Sequence, residues 1–421
     1  MTFRDIRKSR KLLSVEEIRL LLLVIFLFVG LLMLNIYLAR LLPGGEQFFL
    51  RWSGARAFLL EGVEPYSSTV AERAQNVAYG RQALANEYPY VLNDPFYIVM
   101  LYIPLALFSD FAIARGLWML LSEAALLGLI ILLINSLEWE PPRWLIVGLA
   151  AIALFGYYSL TAVGAGTPAS VIVLLCFFIL AALQTFSDEL AGALLFLIAY
   201  QWEVTALFFL YIVVFMIANK RWRILTGFGM SMAILVAISF LAYPGWGLPY
   251  FRAVLADWYA APNISFGRTV SGWFPATNIA IGLWIGLLLG IVLFLEWIGS
   301  VSSHYRRIVW IVCLSLAVTP LMGFAVFPSN HVMLLPSLVL ITMLVWERWT
   351  RRRVLYTLLI LLTVFLLPYW LYYRVLQGAP TIYSELLTFL PPIATIVGLY
   401  WMRWWAFRFP RTWSDQIGDR A

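Results

Sequence analysis

Residues Pro43–Tyr97 read PGGEQFFLRWSGARAFLLEGVEPYSSTVAERAQNVAYGRQALANEYPYVLNDPFY. The stretch holds six carboxylates (Glu46, Glu61, Glu64, Glu72, Glu87, Asp94) and four arginines (Arg51, Arg56, Arg73, Arg81). On both sides of it the chain is apolar over runs of membrane length. A polar segment between two such runs is a loop outside the bilayer. Of the 421 residues, 63% are hydrophobic and 12% charged, against about 25% charged in soluble domains. Mean hydropathy is +0.87. The chain therefore reads as an all-α polytopic membrane protein, with residues 1–421 forming a single integral membrane domain.

The net charge of +7 does not point to nucleic acid. Lys and Arg collect on the cytoplasmic loops of membrane proteins, so the expected partners are membrane lipids. Cys176 and Cys313 lie inside apolar runs and form no disulfide framework. The first apolar run, Ile18 to Leu42, is too long for a signal-peptide core. No small-residue cleavage site follows it, so it reads as a retained first span.

A spanning helix needs about 20 apolar residues, and on that measure about 12 candidates emerge. They begin near Ile18, Pro95, Arg115, Trp144, Pro168, Leu190, Trp222, Asn278, Ile308, Val332, Val354 and Leu386. Strict alternation from a cytoplasmic N-terminus (1–17) puts every compact basic cluster on one side. These clusters are Lys220 with Arg221 and Arg223, Arg306 with Arg307, Arg348 with Arg351 to Arg353, and Arg403 with Arg408 and Arg411. The protein is thus expected as a multi-pass cell-membrane protein with both termini cytoplasmic, residues 403–421 forming the tail. Two large loops face outward, 43–94 and 244–277. Shorter outer segments are 135–143, 187–189, 327–331 and 374–385. The uncharged turn 164–168 reads either as cytoplasmic or as part of a re-entrant hairpin.

In the first loop, Phe48, Phe49, Trp52, Ala55, Phe58 and Leu59 recur near helical spacing, with Gln47, Arg51, Ser53 and Arg56 opposite. The pattern predicts an amphipathic helix on the outer leaflet, stopped at Gly62 and followed by Pro65. A second short helix is expected over Ser68 to Leu84.

Several residues could carry chemistry. Glu46 follows Gly44-Gly45 at the end of the first span. It is either a general base tuned by its surroundings or an interfacial charge closing the span. Arg51 and Arg56 suit phosphate oxygens and equally suit lipid headgroups. His331, at an outer span end, could touch phosphate or a sugar hydroxyl, or serve structure. Glu123 and Glu203 fall inside spans, where ionisable groups are costly. The second large loop sets Arg252, Asp257, Trp258, Tyr259, Arg268 and Trp273 together, the aromatic and polar mixture of a carbohydrate site or of any interfacial loop. Asn263-Ile-Ser265 matches a glycosylation sequon. The sequence has no His/Cys cluster at zinc spacing, no phosphate loop and no nucleophile elbow, so neither a metal site nor a cofactor is expected.

The order Gly44-Gly-Glu46, Trp52-Ser-Gly-Ala-Arg56, Gly62-Val-Glu-Pro65-Tyr66 resembles the GT-C-type integral membrane glycosyltransferases. The nearest branch is family 87, the polyprenyl-phosphate-mannose-dependent alpha-mannosyltransferases. Tyr88-Pro-Tyr90, Asp94-Pro-Phe-Tyr97, the Gly-rich turn at 164–168 and Asn219-Lys-Arg-Trp-Arg223 extend the resemblance over residues 15–245. The chain departs from the pattern in three places. Glu46 stands where relatives carry Asp, Ala165-Gly-Thr167-Pro replaces Gly-Gln-x-Asn, and Gln-Trp-Glu203 replaces a Lys-Pro pair.

The resemblance implies an inverting transfer of a hexose, mannose by the closest branch, on the outer face. The donor would be a polyprenyl-phosphate sugar and the acceptor a lipid or glycan. Glu46 would act as the base. Arg51, Arg56, Arg268 and His331 would hold the departing phosphate, and Tyr66 of the motif would bind substrate. The rival reading from the residues is a transporter or lipid flippase using Glu123 and Glu203. Against it, no inverted repeat and no matched pair of broken helices is visible.

Overall fold

The computed structural model describes residues 15–84, 87–260, 266–274, 280–301, 303–323 and 326–407. Among these, every regular element is helical. The chain opens with α1 (Val15–Leu41), α2 (Glu46–Arg56, running into a π turn over Ala57–Glu61) and α3 (Ser68–Tyr79). It continues through α4 (Phe96–Leu101), α5 (Ile103–Ala106), α6 (Phe111–Ser136), α7 (Arg143–Phe155), α8 (Tyr157–Ala165) and α9 (Ala169–Gln184). Then come α10 (Asp188–Ile198), α11 (Trp202–Asn219), α12 (Arg223–Ala242), α13 (Gly247–Ala260), α14 (Phe266–Trp273), α15 (Ala280–Ser300) and α16 (Tyr305–Val318). A 3₁₀ segment (Pro328–Leu334) leads into α17 (Leu335–Arg348), followed by α18 (Arg353–Leu376) and α19 (Ile382–Phe407).

Among the described residues, 6 of these helices are long and apolar enough to cross a membrane, or up to 8 if each sharply bent pair is one span. The protein is therefore a polytopic helical membrane protein. Its lipid-facing character shows on α18, where Leu355, Leu362, Leu366 and Tyr373 are all exposed.

Side-chain contacts define two ends of the bundle. At one end Arg221 is paired with Asp188 and donates to the Leu183 carbonyl at 3.0 Å. Arg223 meets Glu189 at 2.6 Å, Asn219 donates to the Val301 carbonyl at 3.1 Å, and Tyr305 bonds Ser136. This is the basic end. At the other end lie the two large loops and the turns at 164–168, 199–203 and 327–331.

These contacts correct the expected path of the chain in its first half. The stretch from Pro95 does not span: it forms α4 and α5, of 6 and 4 residues, packed under α2. The apolar run from Leu190 is two helices, not one. α10 and α11 reverse direction at Ala199-Tyr-Gln201, where Tyr200 bonds Tyr102 and Glu203 accepts from Asn330 at the loop end. The segments between these two points therefore lie at the opposite end of the bundle from the one expected. Residues 135–143 and 187–189 lie at the basic end, and the 164–168 turn lies at the loop end.

Helices α10 and α12 cross in backbone contact. A Cβ on Gly192 would lie 1.9 Å from the Ile224 carbonyl oxygen, and one on Gly227 would lie 2.0 Å from that of Glu189. Close approach through small residues is the usual basis of helix association in lipid, where water supplies no driving force.

The expected surface helix also changes character. α3 ends at Gly80 in the left-handed region and has one buried edge, Val70 and Ala74, as an amphipathic helix should. α2 is different. Phe48, Leu50, Trp52 and Ala55 are all buried, and so are Arg51 and Ser53 on its polar side. It forms the centre of a second core with Leu92, Phe96, Tyr102 and Trp118. The apolar face meets α5 and α6, while residues 90–97 close over the polar face. The helix stop at Gly62, with φ at +64°, falls where the sequence places it.

Cysteine accessibility tests this path. With Cys176 and Cys313 replaced, Glu138→Cys and Thr185→Cys are expected to react with an impermeant maleimide from the same side as Lys220→Cys and opposite to Glu72→Cys. Labelling of either together with Glu72→Cys would restore the alternation read from hydropathy.

Candidate functional site

The chain turns by 96° between α1 and α2. Gly44 and Gly45 make the turn, with φ at +113° and +81°. The reason is steric as well as conformational: a Cβ on Gly45 would sit 2.6 Å from Arg115 Nε. Arg115, at the start of α6, donates to the carbonyls of Leu42 at 2.9 Å and of Ala39, Pro43 and Gly164 at 3.2 Å each. It thereby satisfies the open carbonyls at the end of α1.

Glu46 is the first residue of α2. Its carboxylate is half-buried and forms no salt bridge among the described residues. Burial pushes its pKa above the ordinary value, and the helix-start N–H and Arg115 pull it back only in part. The neighbouring Tyr90 and Tyr79 feel its charge.

Beside Glu46 a cleft of about 40 Å³ opens at the loop end. Gln47 and Arg51 of α2, Tyr88, Tyr90 and Asp94 of the first loop, Gln201 and Glu203 at the α10–α11 reversal, and Asn330 line it. As it stands the cleft has room for a few waters. Arg51 is 7% exposed and meets Asp94, 3% exposed, at 2.6 Å. Asn330 donates to Glu203 at 3.2 Å. Asp257, on α13, accepts from Tyr88 and Asn93 at 2.8 Å each. Burial raises the pKa of Asp257, and burial followed by the Asp257 charge raises that of the Tyr88 hydroxyl. Trp202 and Trp258 stack with centroids 5.3 Å apart. With Arg51 paired to Asp94, the cleft presents mainly amide, hydroxyl and carboxyl groups, among them Gln47, Tyr90, Gln201 and Glu203, a lining suited to hydrogen-bonding hydroxyls.

The expected site residues divide accordingly. Glu46 does not itself line the cleft; its chain neighbour Gln47 and the nearby Tyr90 do. Arg51 and Tyr66 converge on Asp94, Tyr66 donating to its backbone carbonyl at 3.0 Å. Arg56 does not reach the cleft; it donates to the Ala106 carbonyl at 3.1 Å, closing the end of α5. His331 is 2% exposed and faces away from the cleft. Its Nε2 lies 2.5 Å from the Thr388 carbonyl, its Nδ1 3.3 Å from that of Phe327, and its ring stacks on Tyr158. Arg51, Arg56 and His331, expected to hold phosphate, each bond to groups of the protein itself in this structure. Arg268 is on α14, with its side chain outside the described residues, as is the Asn263 sequon. Glu123 accepts from Asn35 at 2.8 Å within the α1–α6 contact, away from the cleft.

Asp94, Asn93, Asp257 and Asn330 were not singled out as a group from the sequence. Their only local signals are the Asn-Asp-Pro turn before α4 and a carboxylate embedded in Asp257-Trp-Tyr. A scan against protein-family models found no match to this chain, and a search of curated proteins found none either.

The Arg51–Asp94 pair sets a stability prediction. Asp94→Ala strands a buried guanidinium and should cost about 3–5 kcal/mol, whereas Arg51→Leu combined with Asp94→Leu should recover most of that loss. Thermal unfolding of the detergent-solubilised protein reads both. Equal Tm values for Asp94→Ala and wild type would show the pair to be open to solvent.

Proposed function

We propose that this protein is a GT-C-type membrane glycosyltransferase acting at the loop end of its bundle. It moves a hexose from a polyprenyl-phosphate donor to a lipid or glycan acceptor. The observation that carries the reading is Glu46: an unpaired, half-buried carboxylate at a fixed bend, beside a cleft rich in hydroxyl-binding groups.

On this reading the chain crosses twelve times, through α1, α6, α7 with α8, α9, α10, α11, α12, α15, α16, the 3₁₀ segment with α17, α18 and α19. Both termini then lie on the basic, cytoplasmic face, and the cleft lies outside. α10, with 11 residues, crosses only together with its flanking turns.

In the reaction, Glu46 takes the proton of the acceptor hydroxyl. The acceptor oxygen bonds to the anomeric carbon, the bond from that carbon to the phosphate oxygen breaks, and polyprenyl phosphate leaves with the electron pair. Gln47, Gln201 and Glu203 on the cleft bond to sugar hydroxyls, and the exposed Arg252 on α13 is proposed as the partner of the leaving phosphate. A hexose is larger than the closed cleft, so binding moves α13, which is tied to the first loop through Asp257.

A proton acceptor held by geometry contributes about 10²–10⁴-fold. Glu46→Gln should lower kcat by that factor in proteoliposomes supplied with a polyprenyl-phosphate sugar, with the fold unchanged. The acid limb of the wild-type pH profile should lie above the usual carboxylate range, because only the deprotonated, desolvated Glu46 is active. Wild-type turnover in Glu46→Gln sinks the assignment. Solute movement across the vesicle without any sugar transfer replaces it with the transporter reading.

A further inference from the structure

Helix α13 presents two contrasting faces. Trp246 at its start, Ala253 and Asp257 are buried, with Tyr250 half-buried beside them. This face fastens the helix to the first loop. Asp257 takes the hydrogen bonds of Tyr88 and Asn93, and Tyr250 packs on Tyr66 with ring centroids 6.1 Å apart. On the opposite face Leu248, Phe251, Leu255 and Trp258 are exposed by 59%, 58%, 40% and 62%. Steps of three and four residues set these side chains in one stripe along a helix. A contiguous apolar stripe of this kind marks a surface that meets a partner or a membrane.

The stripe is held where the bilayer ends. α12 is long and apolar enough to span, and it carries Met230, Ile234, Ile238 and Leu241 exposed along its length. Only Tyr243 to Trp246 separate it from α13, and Trp246 packs back on Phe240 with centroids 5.6 Å apart. The first turn of α13 therefore sits at the depth of the last turn of α12. Leu, Phe and Trp are the residues that interfacial helices immerse. Arg252 is exposed on the flank of the stripe, about 80° round the helix from its centre. A guanidinium there reaches the headgroups while its stem lies along the apolar side. From Pro244 to Trp258 the only charged residues are Arg252 and Asp257. Asp257 is engaged inside the protein, so the outward face carries no carboxylate to repel anionic headgroups.

We infer that α13 is an interfacial helix lying in the leaflet at the loop end, with Leu248, Phe251, Leu255 and Trp258 immersed among the lipids. Its partner is the lipid surface, because the stripe continues the lipid-facing side of α12 and meets the same medium. A helix with its side chains is about 10–12 Å across. The first-loop residues bonded to Asp257 are thus moored about one helix diameter from the leaflet, and the cleft beside them opens at the membrane surface. The inference does not rest on the transferase reading, since a transporter would be moored in the same way.

Spin labels on single cysteines test this in the full-length protein, with Cys176 and Cys313 replaced, in vesicles of phosphatidylcholine and phosphatidylglycerol. Collisions with oxygen report hydrocarbon, and collisions with a water-soluble nickel chelate report solvent. Labels at Phe251→Cys and Leu255→Cys should give high oxygen and low chelate accessibility, as at Leu241→Cys on α12. A label at Glu72→Cys on α3 should give the reverse. High chelate accessibility at Phe251 and Leu255 overturns the inference, because the stripe then faces water. Low accessibility to both reagents overturns it too, because another protein or a second copy of this chain then covers the stripe. Leu248→Cys takes the place of either variant that fails to fold.

Discussion

Arg115 is the constraint on which the loop end depends. Its guanidinium gathers carbonyls from the end of α1 and from Gly164, so one cation fixes where two chain segments meet. Charge-assisted bonds of this kind are stronger than neutral ones, and here they converge on carbonyls that the end of α1 leaves open. The glycine pair lets the backbone pass close to that cation and turn. Because of the turn, α2 runs into the bundle rather than away from it. Phe48 then stacks on Trp118 with centroids 5.4 Å apart, and its Cβ lies where one on Gly166 would be, 2.4 Å away. The Gly-rich turn at 164–168 is thus one half of the same joint.

Hydropathy made the membrane class legible, and local chemistry made the caps legible. Gly62 stops a helix and Ser68 opens α3 where the sequence places them, whereas Gly80 ends α3 at Tyr79, short of the expected Leu84. The number and direction of spans were less legible, for a physical reason. Hydropathy measures how apolar a window is, not where the chain reverses. Pro95 to Leu107 is apolar because it packs beneath α2 in a protein core, and that environment selects the same residues as lipid does. The run from Leu190 is apolar throughout, apart from Gln201 and Glu203. Those two residues marked the break, since a span would hold them at depth without partners.

The partners of the arginines were not legible in the sequence. Arginine suits phosphate, headgroups and buried carboxylates alike, and its partner decides among them. For Arg51 the partner is Asp94, 43 positions away. For Arg56 it is the carbonyl end of a helix that hydropathy had merged into a span. For His331 the partners are two carbonyls, one of them on α19. None of these distances is encoded locally. Asp257 illustrates the same limit, since its two donors lie in the other large loop.

The polar cleft and an apolar groove between α8, α17, α18 and α19 share one wall, the segment from Phe327 to Leu334. A 3₁₀ helix turns once every 3.0 residues, so positions i and i+3 eclipse. Phe327 and Asn330 line the cleft, while His331, Val332 and Leu334 line the apolar groove. Pro328 supports the tighter form at its start, and α17 resumes ordinary geometry once the wall is complete. The chain thus separates a hydrogen-bonding cleft from an apolar groove with little more than two turns of backbone. The same turn carries both the donor that holds Glu203 and the imidazole that ties the wall to α19.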